Sequence, residues 1–373
     1  MVAASKRAPP RHRVADVVRL HGEELLRTTT TTYEQRRALS DIPQCRTAAM
    51  GAHRALYACG HEVTAYNSCR NRSCGRCLSG KSYEWVEQKE QDLLPISYFH
   101  VVFTLPPALA NVSPIARSTV YKALFHAASI TIARFGREKL NGEMGVLAVL
   151  HTWGQALTHH PHLHCVVAGG AWNPQKQTWT STKRRFLFPV KAMSKVFRGK
   201  MLEELRRRRL PDHSDADVER VIAAAAAVDW VVYAKPPFGG PGQVLRYLAR
   251  YTHKIAISDH RIVNVDDDGV SFRWKDYRDA ATTKTMTLSG HEFLRRFVQH
   301  VLPRGFTRLR SYGFLANTKK REKLAAIREA LGTSPPSLPP PKVCRCPVCG
   351  VGVLVERVLL AAFTLLPIRR DTS

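Results

Sequence analysis

The segment VLAVLHTWGQALTHHPHLHCVVA, residues 146–168, decides how the rest of the chain is read. Two apolar runs, VLAVLHTWGQA and HLHCVVA, flank a short polar turn, which is the pattern of an antiparallel hairpin. Strand residues two apart share a face, so His162 and His164 aim their imidazoles the same way while Leu163 points to the other side. Two imidazoles so placed can grip one metal ion. A turn centred between Thr158 and His159 pairs Gln155 with His162 and Trp153 with His164, adding a side-chain amide oxygen to the two nitrogens. Such a mixed set, open on one side, suits a hard or borderline divalent ion that also holds a substrate oxygen. The competing reading is that the histidines of this stretch, His151, His159, His160, His162 and His164, supply turn polarity or are buried, hydrogen-bonded rings. A His-x-His pair alone does not separate the two.

The charge balance points to a polyanionic partner. Among 373 residues, 57 Lys+Arg stand against 30 Asp+Glu, a formal charge of +27, while 44% hydrophobic residues mark a globular chain able to bury a core. Nucleic acid is the first candidate, because each phosphate that is neutralised releases counterions; a ribosomal or membrane-surface protein is the alternative, less in keeping with this length. No basic-apolar-small signal peptide opens the chain, and its longest uncharged apolar run, residues 358–367, is too short to cross a bilayer. The expectation is a cytoplasmic, nucleoid-associated protein of bacterial type with no membrane partner.

The cysteines say the same of compartment. There are nine, five of them between Cys45 and Cys77 and three between Cys344 and Cys349, and in a reducing cytosol such clustering argues for zinc over disulfides. Cys45, His53, Cys59, His61, Cys69, Cys74 and Cys77 are the candidate ligands. Cys74 and Cys77 form a C-x2-C knuckle with Cys69 five residues earlier, and Cys59-Gly-His61 can supply the rest of a shell. Zinc takes four sulfur or nitrogen donors in a closed structural site, so seven candidates give one zinc and a second set one ligand short. Arg70, Arg72 and Arg76, interleaved with the cysteines, coat the module with phosphate-facing charge. Cys344, Cys346 and Cys349 read equally as half a zinc site or as a zinc-free tail.

Gly75-Arg-Cys-Leu-Ser-Gly80-Lys81-Ser82 matches the phosphate-binding pattern G-x4-G-K-[ST]. That loop works only when a buried apolar strand delivers it, and here NSCRNRSC precedes it, so the match is rejected. Further along, periodicity predicts a linker helix over 83–94, a strand over 96–106, helices over 114–135, 191–210 and 215–227, and short strands over 185–189 and 229–237. Two strands around the turn Asp266-Asp-Asp-Gly269, a third over 282–288, and helices over 290–301 and 318–331 complete the elements. The arginine run 206–209 reads as a solvated face or, equally, as a DNA-facing one. PPSLPPP at 335–341 is a stiff extended linker.

Residues 239–253, GGPGQVLRYLARYTH, form the second chemical element. Gly-Gly breaks the chain, Pro241 suits a first helical turn, and Gln243, Tyr247 and Tyr251 recur every four residues, so both phenols fall on one helical face. An aromatic stripe in a core is the alternative. Arg246, Arg250, His253 and Lys254 crowd these tyrosines with a positive charge that buried helices rarely carry and a phosphodiester site requires.

Taken together, CRTAAMGAH with YNSCRNRSCGRC, HTWGQALTHHPHLHCVV, WVVYAKPPFGGPGQVLRYLARYTHKIAIS and FLRRFVQHVLPRGFTRLRSYGFLAN resemble the two-tyrosine HUH transposases, the rolling-circle insertion-sequence type ninety-one. The resemblance spans roughly residues 45–331. It implies an α+β fold: a palm-like antiparallel sheet flanked by helices, with a small N-terminal zinc-binding domain. The implied organisation is a basic arm with short helices over 1–40, a zinc-binding domain over 41–80, a linker helix over 81–95, the nuclease domain over 96–332, and a proline-rich linker and tail over 333–373.

The same resemblance implies a single-strand DNA endonuclease and strand transferase acting at element ends through a 5'-phosphotyrosine. His162 and His164 match its metal ligands and Tyr247 and Tyr251 its paired nucleophiles. Gln155 falls where related enzymes place a third ligand, with Gln243 the runner-up. Arg246, Arg250 and Lys254 join the zinc-module arginines as DNA contacts. Mg2+ or Mn2+ is implied at the histidines and one or two Zn2+ in the N-terminal domain; host helicase and replication machinery are the implied partners. The chain departs from the family at the first zinc knuckle, where C-x2-C is common and only Cys59-Gly-His61 is present. A rolling-circle replication initiator with the same chemistry, a non-catalytic zinc-dependent DNA-binding protein, and a metal-dependent hydrolase that releases free 5'-phosphate are the alternatives.

Overall fold

Strands that are apolar at nearly every position need both faces of their sheet covered. The computed structural model describes residues 8–77, 91–183, 185–235, 255–335 and 343–360. In chain order its strands are β1 (Ala52–Tyr57), β2 (Glu62–Tyr66), β3 (Tyr98–Thr104), β4 (Glu143–Trp153), β5 (His159–Asn173), β6 (Thr178–Ser181), β7 (Val232–Lys235), β8 (Ile262–Val265), β9 (Val270–Asp276), β10 (Thr282–Leu288), β11 (Leu309–Tyr312) and β12 (Leu354–Leu360). The largest sheet runs β11-β4-β5-β3-β7, with β6 added to β5, and all its pairings are antiparallel.

Period-two alternation sorts the side chains of this sheet. Phe99, Val101, Phe103, Val146, Ala148, Leu150, Leu163, Cys165 and Val167 enter one core together with Phe125 and Phe197 of the helices Arg117–Leu140 and Val190–Arg207. Tyr98, Leu147, Val149, Val166 and Ala168 enter the other, closed by Phe314 and by Leu324 and Ile327 of the helix Lys320–Ala330. The expected α+β arrangement, an antiparallel sheet between helices, is therefore what forms. One expected strand does not: residues 185–189 are turn and coil. Their apolar side chains serve the core rather than a ladder, with Leu187 and Phe188 buried and the Phe188 ring 5.2 Å from that of Phe135.

The chain folds into two units that do not follow its linear order. Residues 80–256 and 302–337 make one; residues 1–79, 257–301 and 338–373 make the other. In the latter, the helix Val14–Thr28 buries Val14, Val17, Val18 and Leu25 at helical spacing. It stops at Thr28, the first of five consecutive threonines, and the last of them, Thr32, caps the next helix, Tyr33–Gln44. Thr32 Oγ1 accepts the Gln35 N–H at 3.3 Å, and Gln35 Oε1 accepts the Thr32 N–H at 2.9 Å. β8, β9 and β10 form a sheet around the Asp266–Gly269 turn. Residues 354–360, read from sequence as tail, instead form β12, which pairs antiparallel with β1. The linker-helix expectation lies outside the described residues except for residues 91–94, which are not helical. No helix among the described residues is long and apolar enough to cross a membrane.

Candidate active site and metal centres

The hairpin forms, with a register different from the expected one. Its turn is residues 154–158: the Gly154 N–H donates to Thr158 O at 2.9 Å and the Leu157 N–H to Gly154 O at 3.3 Å, with Leu157 left-handed at φ 58°. β5 starts at His159, so His151 stands opposite His162 and Val149 opposite His164. The expected pairings of Gln155 with His162 and Trp153 with His164 do not occur. Each partner on β4 lies four residues earlier, because the turn is centred nearer the N-terminus than Thr158. Four is even, so the face is unchanged, and His151 occupies the cross-strand position expected for Gln155.

Three imidazoles consequently meet. His151, His162 and His164 bring one ring nitrogen each within 4.8 Å of one another. The His162 and His164 Nε2 atoms are 3.1 Å apart; two nitrogens about 2.1 Å from a shared ion and at right angles to each other stand about 3.0 Å apart, so the spacing fits a chelate. All three project from the face of β4 and β5 that carries Val149 and Val166. His162 Nδ1–H donates to the carbonyl of its neighbour His160 at 2.7 Å, which leaves the Nε2 lone pair facing the cluster. His164 Nδ1 lies 2.8 Å from His100 Nε2, and the two rings stack with centroids 5.1 Å apart. His100 is on β3, two residues from Val102, the cross-strand partner of His164.

Burial keeps His162 and His100 neutral. It pushes His162 down to about 4, and it does the same to His100, helped by the Lys235 ammonium. A neutral imidazole is the form that ligates, so no proton has to be removed at neutral pH. Trp153 stacks on His151 with centroids 4.5 Å apart. His159 has another role: its Nδ1–H donates to Ala110 O at 2.8 Å and the Tyr121 hydroxyl, 2.7 Å away, donates to its Nε2. That histidine is a hydrogen-bonded structural ring. Sequence reasoning passed over His100, whose signal was a polar residue inside ISYFHVVFTLP.

The second centre is built of sulfur. Cys45, Cys69, Cys74 and Cys77 are buried, carry no disulfide, and lie with all sulfurs within 4.8 Å of one another. Cys77 Sγ is 3.5 Å from both Cys45 Sγ and Cys69 Sγ; sulfurs about 2.3 Å from one tetrahedral zinc are about 3.8 Å apart, so four thiolates fit a closed structural shell. A hydrogen bond from Cys69, with backbone N–H groups of Cys77 and Arg76, holds Cys74 down at about 5, whereas burial pushes Cys45 up to about 11. Cys45 completes this set. Cys59-Gly-His61, expected to do so, stands elsewhere, and His53 Nδ1 lies 3.2 Å from Asn67 Oδ1. Cys59 instead groups with Cys346 and Cys349.

Of the basic residues, Arg70 is exposed with a left-handed backbone, φ 55°, and Arg76 Nη1 donates to Cys45 O at 2.5 Å, bracing the cysteine shell. The arginine run is largely self-neutralised: Arg206 pairs with Glu219, and Arg207 and Arg208 both pair with the buried Glu204. Tyr247, Tyr251, Gln243, Arg246, Arg250, His253 and Lys254 lie outside the described residues.

Comparison with known proteins agrees along the length of the chain. Residues 145–323 match the family described as putative transposase, and residues 17–105 match the transposase zinc-binding domain. A putative transposase of Sinorhizobium fredii, y4qJ, is 43% identical, the alignment covering 96% of this chain and 98% of that protein. The transposase for insertion sequence element IS801 of Pseudomonas savastanoi pv. phaseolicola is 28% identical over 82% of this chain and 75% of its own length. Among solved structures, a metal-free conjugative relaxase TrwC bound to oriT DNA aligns with 41% of this chain and 71% of its own at 11% identity and a TM-score of 0.25.

Proposed function

The chain belongs to the transposase family of insertion-sequence type ninety-one with an N-terminal zinc-binding domain, and on that premise we propose that it nicks and rejoins single-stranded DNA at element ends through a tyrosine. The observation that carries this reading is the convergence of His151, His162 and His164 on one sheet face, with the His160 carbonyl and His100 orienting two of them. A divalent ion bound there would neutralise a non-bridging phosphate oxygen and fix the scissile phosphate. Three nitrogens favour a borderline ion, so Mn2+ suits the set better than Mg2+.

The nucleophile is the phenol oxygen of Tyr247 or Tyr251. As its bond to phosphorus forms, the bond from phosphorus to the 3' oxygen breaks; the phenol gives up its proton and the departing oxygen gains one. A 5'-phosphotyrosine and a 3'-hydroxyl result. The bond energy is kept, so a 3'-hydroxyl can later attack the phosphotyrosine and rejoin the strand without ATP, while the second tyrosine accepts another strand. Free phenols ionise near pH 10, and the flanking Arg246, Arg250 and Lys254 would favour the phenolate. Strand separation is left to the host helicase and replication machinery.

The test is covalent capture of an oligonucleotide carrying the single-stranded element end, followed by mass spectrometry. Adducts on Tyr247 or Tyr251 are expected; undiminished adduct in the double variant Tyr247→Phe, Tyr251→Phe would overturn the assignment.

A further inference from the structure

We propose that Cys59, Cys346 and Cys349 form a second zinc site, separate from the four-cysteine centre, that fastens the C-terminal strand into the zinc-binding module. The three sulfurs lie within 4.8 Å of one another and none is in a disulfide. Two of them lie far beyond residue 105, where the matched zinc-binding segment ends. The fold brings them together: β12 runs antiparallel to β1, Leu354 opposite Tyr57, and the ladder continues with the Ala58 N–H donating to Val353 O at 2.8 Å. The next residue on one side is Cys59. On the other, the chain folds back through a turn in which the Cys346 N–H donates to Gly352 O at 2.6 Å and the Gly350 N–H to Cys346 O at 3.0 Å.

Both halves have the local build of a metal-binding knuckle. Cys59 and Cys349 are each followed by a glycine in the left-handed region, Gly60 at φ 78° and Gly350 at φ 71°, which turns the backbone around the sulfur. Cys349 Sγ accepts the Gly352 N–H at 3.3 Å, the kind of bond that stabilises a thiolate. Gly352 also admits Cys59 to the turn, since a Cβ there would stand 2.7 Å from Cys59 Sγ and 2.9 Å from Cys59 Cβ. Three soft donors at this spacing select zinc over a hard cation. A tetrahedral shell needs one donor more, and His61 and Cys344, each two residues from one of the three cysteines, are its neighbours in sequence. The inference stands independently of the nicking reaction.

The experiment is metal analysis of the full-length chain. Cys59→Ser, Cys346→Ser and Cys349→Ser should each lower the zinc content by one equivalent and leave the four-cysteine equivalent in place, and the double variant Cys59→Ser, Cys346→Ser should lower it by no more than one; Cys74→Ser, which unfolds the segment carrying Cys59 as well, should remove more than one. Full zinc content in Cys346→Ser and Cys349→Ser would overturn the proposal. A readout free of substitution is thiol alkylation mapped by mass spectrometry. Cys59, Cys346 and Cys349 should be protected together in the native chain and become reactive together as a chelator is added. A disulfide among the three, or alkylation of any of them before chelator, would overturn the proposal as well.

Discussion

The histidine and four-cysteine clusters gather candidate metal ligands in opposite ways. The cysteines come from one short stretch, residues 45–77, and enclose their site with four buried sulfurs. The histidines come from two paired strands and offer three nitrogens, a set that would leave coordination positions open on an ion bound there. A closed set holds a fold together and an open set can do chemistry, so losses at the two should appear in different measurements.

The sharpest break in this contrast is Cys74→Ser. It should abolish folding of residues 14–77, because a structural zinc contributes on the order of 10 kcal/mol; circular dichroism and protease resistance would report it, and His162→Ala should change neither. If the histidine variant unfolded the chain as the cysteine variant does, the distinction would fail. Acid separates the centres less drastically. The folded-state pKa of His100 is about 4, below the ordinary 6.5, so between those values the unfolded chain binds the proton first. Stability is therefore full above about pH 6.5 and lost as pH falls toward 4, by at most about 3 kcal/mol for this buried ring. His162 shifts in the same direction. Denaturation midpoints at pH 7 and pH 5 should show the loss, and His100→Phe should flatten it.

His100→Phe also sharpens the active-site half. His100 acts through His164, so the variant should weaken metal affinity and nicking by roughly 10–100-fold with less effect on substrate binding; saturation with Mn2+ should recover much of the rate, which a merely structural role would not allow. The smallest effect belongs to the arginine run. Arg206→Ala breaks an exposed, solvent-screened pair with Glu219 and should leave the thermal denaturation midpoint almost unchanged. A large loss of DNA affinity in that variant would move the run into the nucleic-acid interface.

How much of this was legible in the sequence follows from which forces are local. Alternation in residues 146–168 gave the hairpin and the shared face of His162 and His164, because strand period is local. The register was not legible. It turns on Leu157 adopting a left-handed conformation that its side chain does not advertise, and a four-residue difference exchanged Gln155 for His151. The C-x2-C knuckle named Cys74 and Cys77, while the choice of Cys45 over Cys59 as the fourth sulfur needed the three-dimensional path of β1. Residues 343–360 looked like a tail since the partner strand of β12 lies some three hundred residues earlier, beyond the reach of any spacing argument. The tyrosine segment remains known by its pattern alone.

The central claim is that the three imidazoles hold the ion that enables strand nicking. Its most direct test is adduct formation on labelled single-stranded element-end DNA by metal-depleted protein whose zinc has been restored, titrated with Mn2+ or Mg2+. The account predicts that adduct returns with Mn2+ at lower concentration than with Mg2+, and that His151→Ala and His162→Ala, though folded, form almost none. Adduct at the unaltered level in those two variants would contradict it.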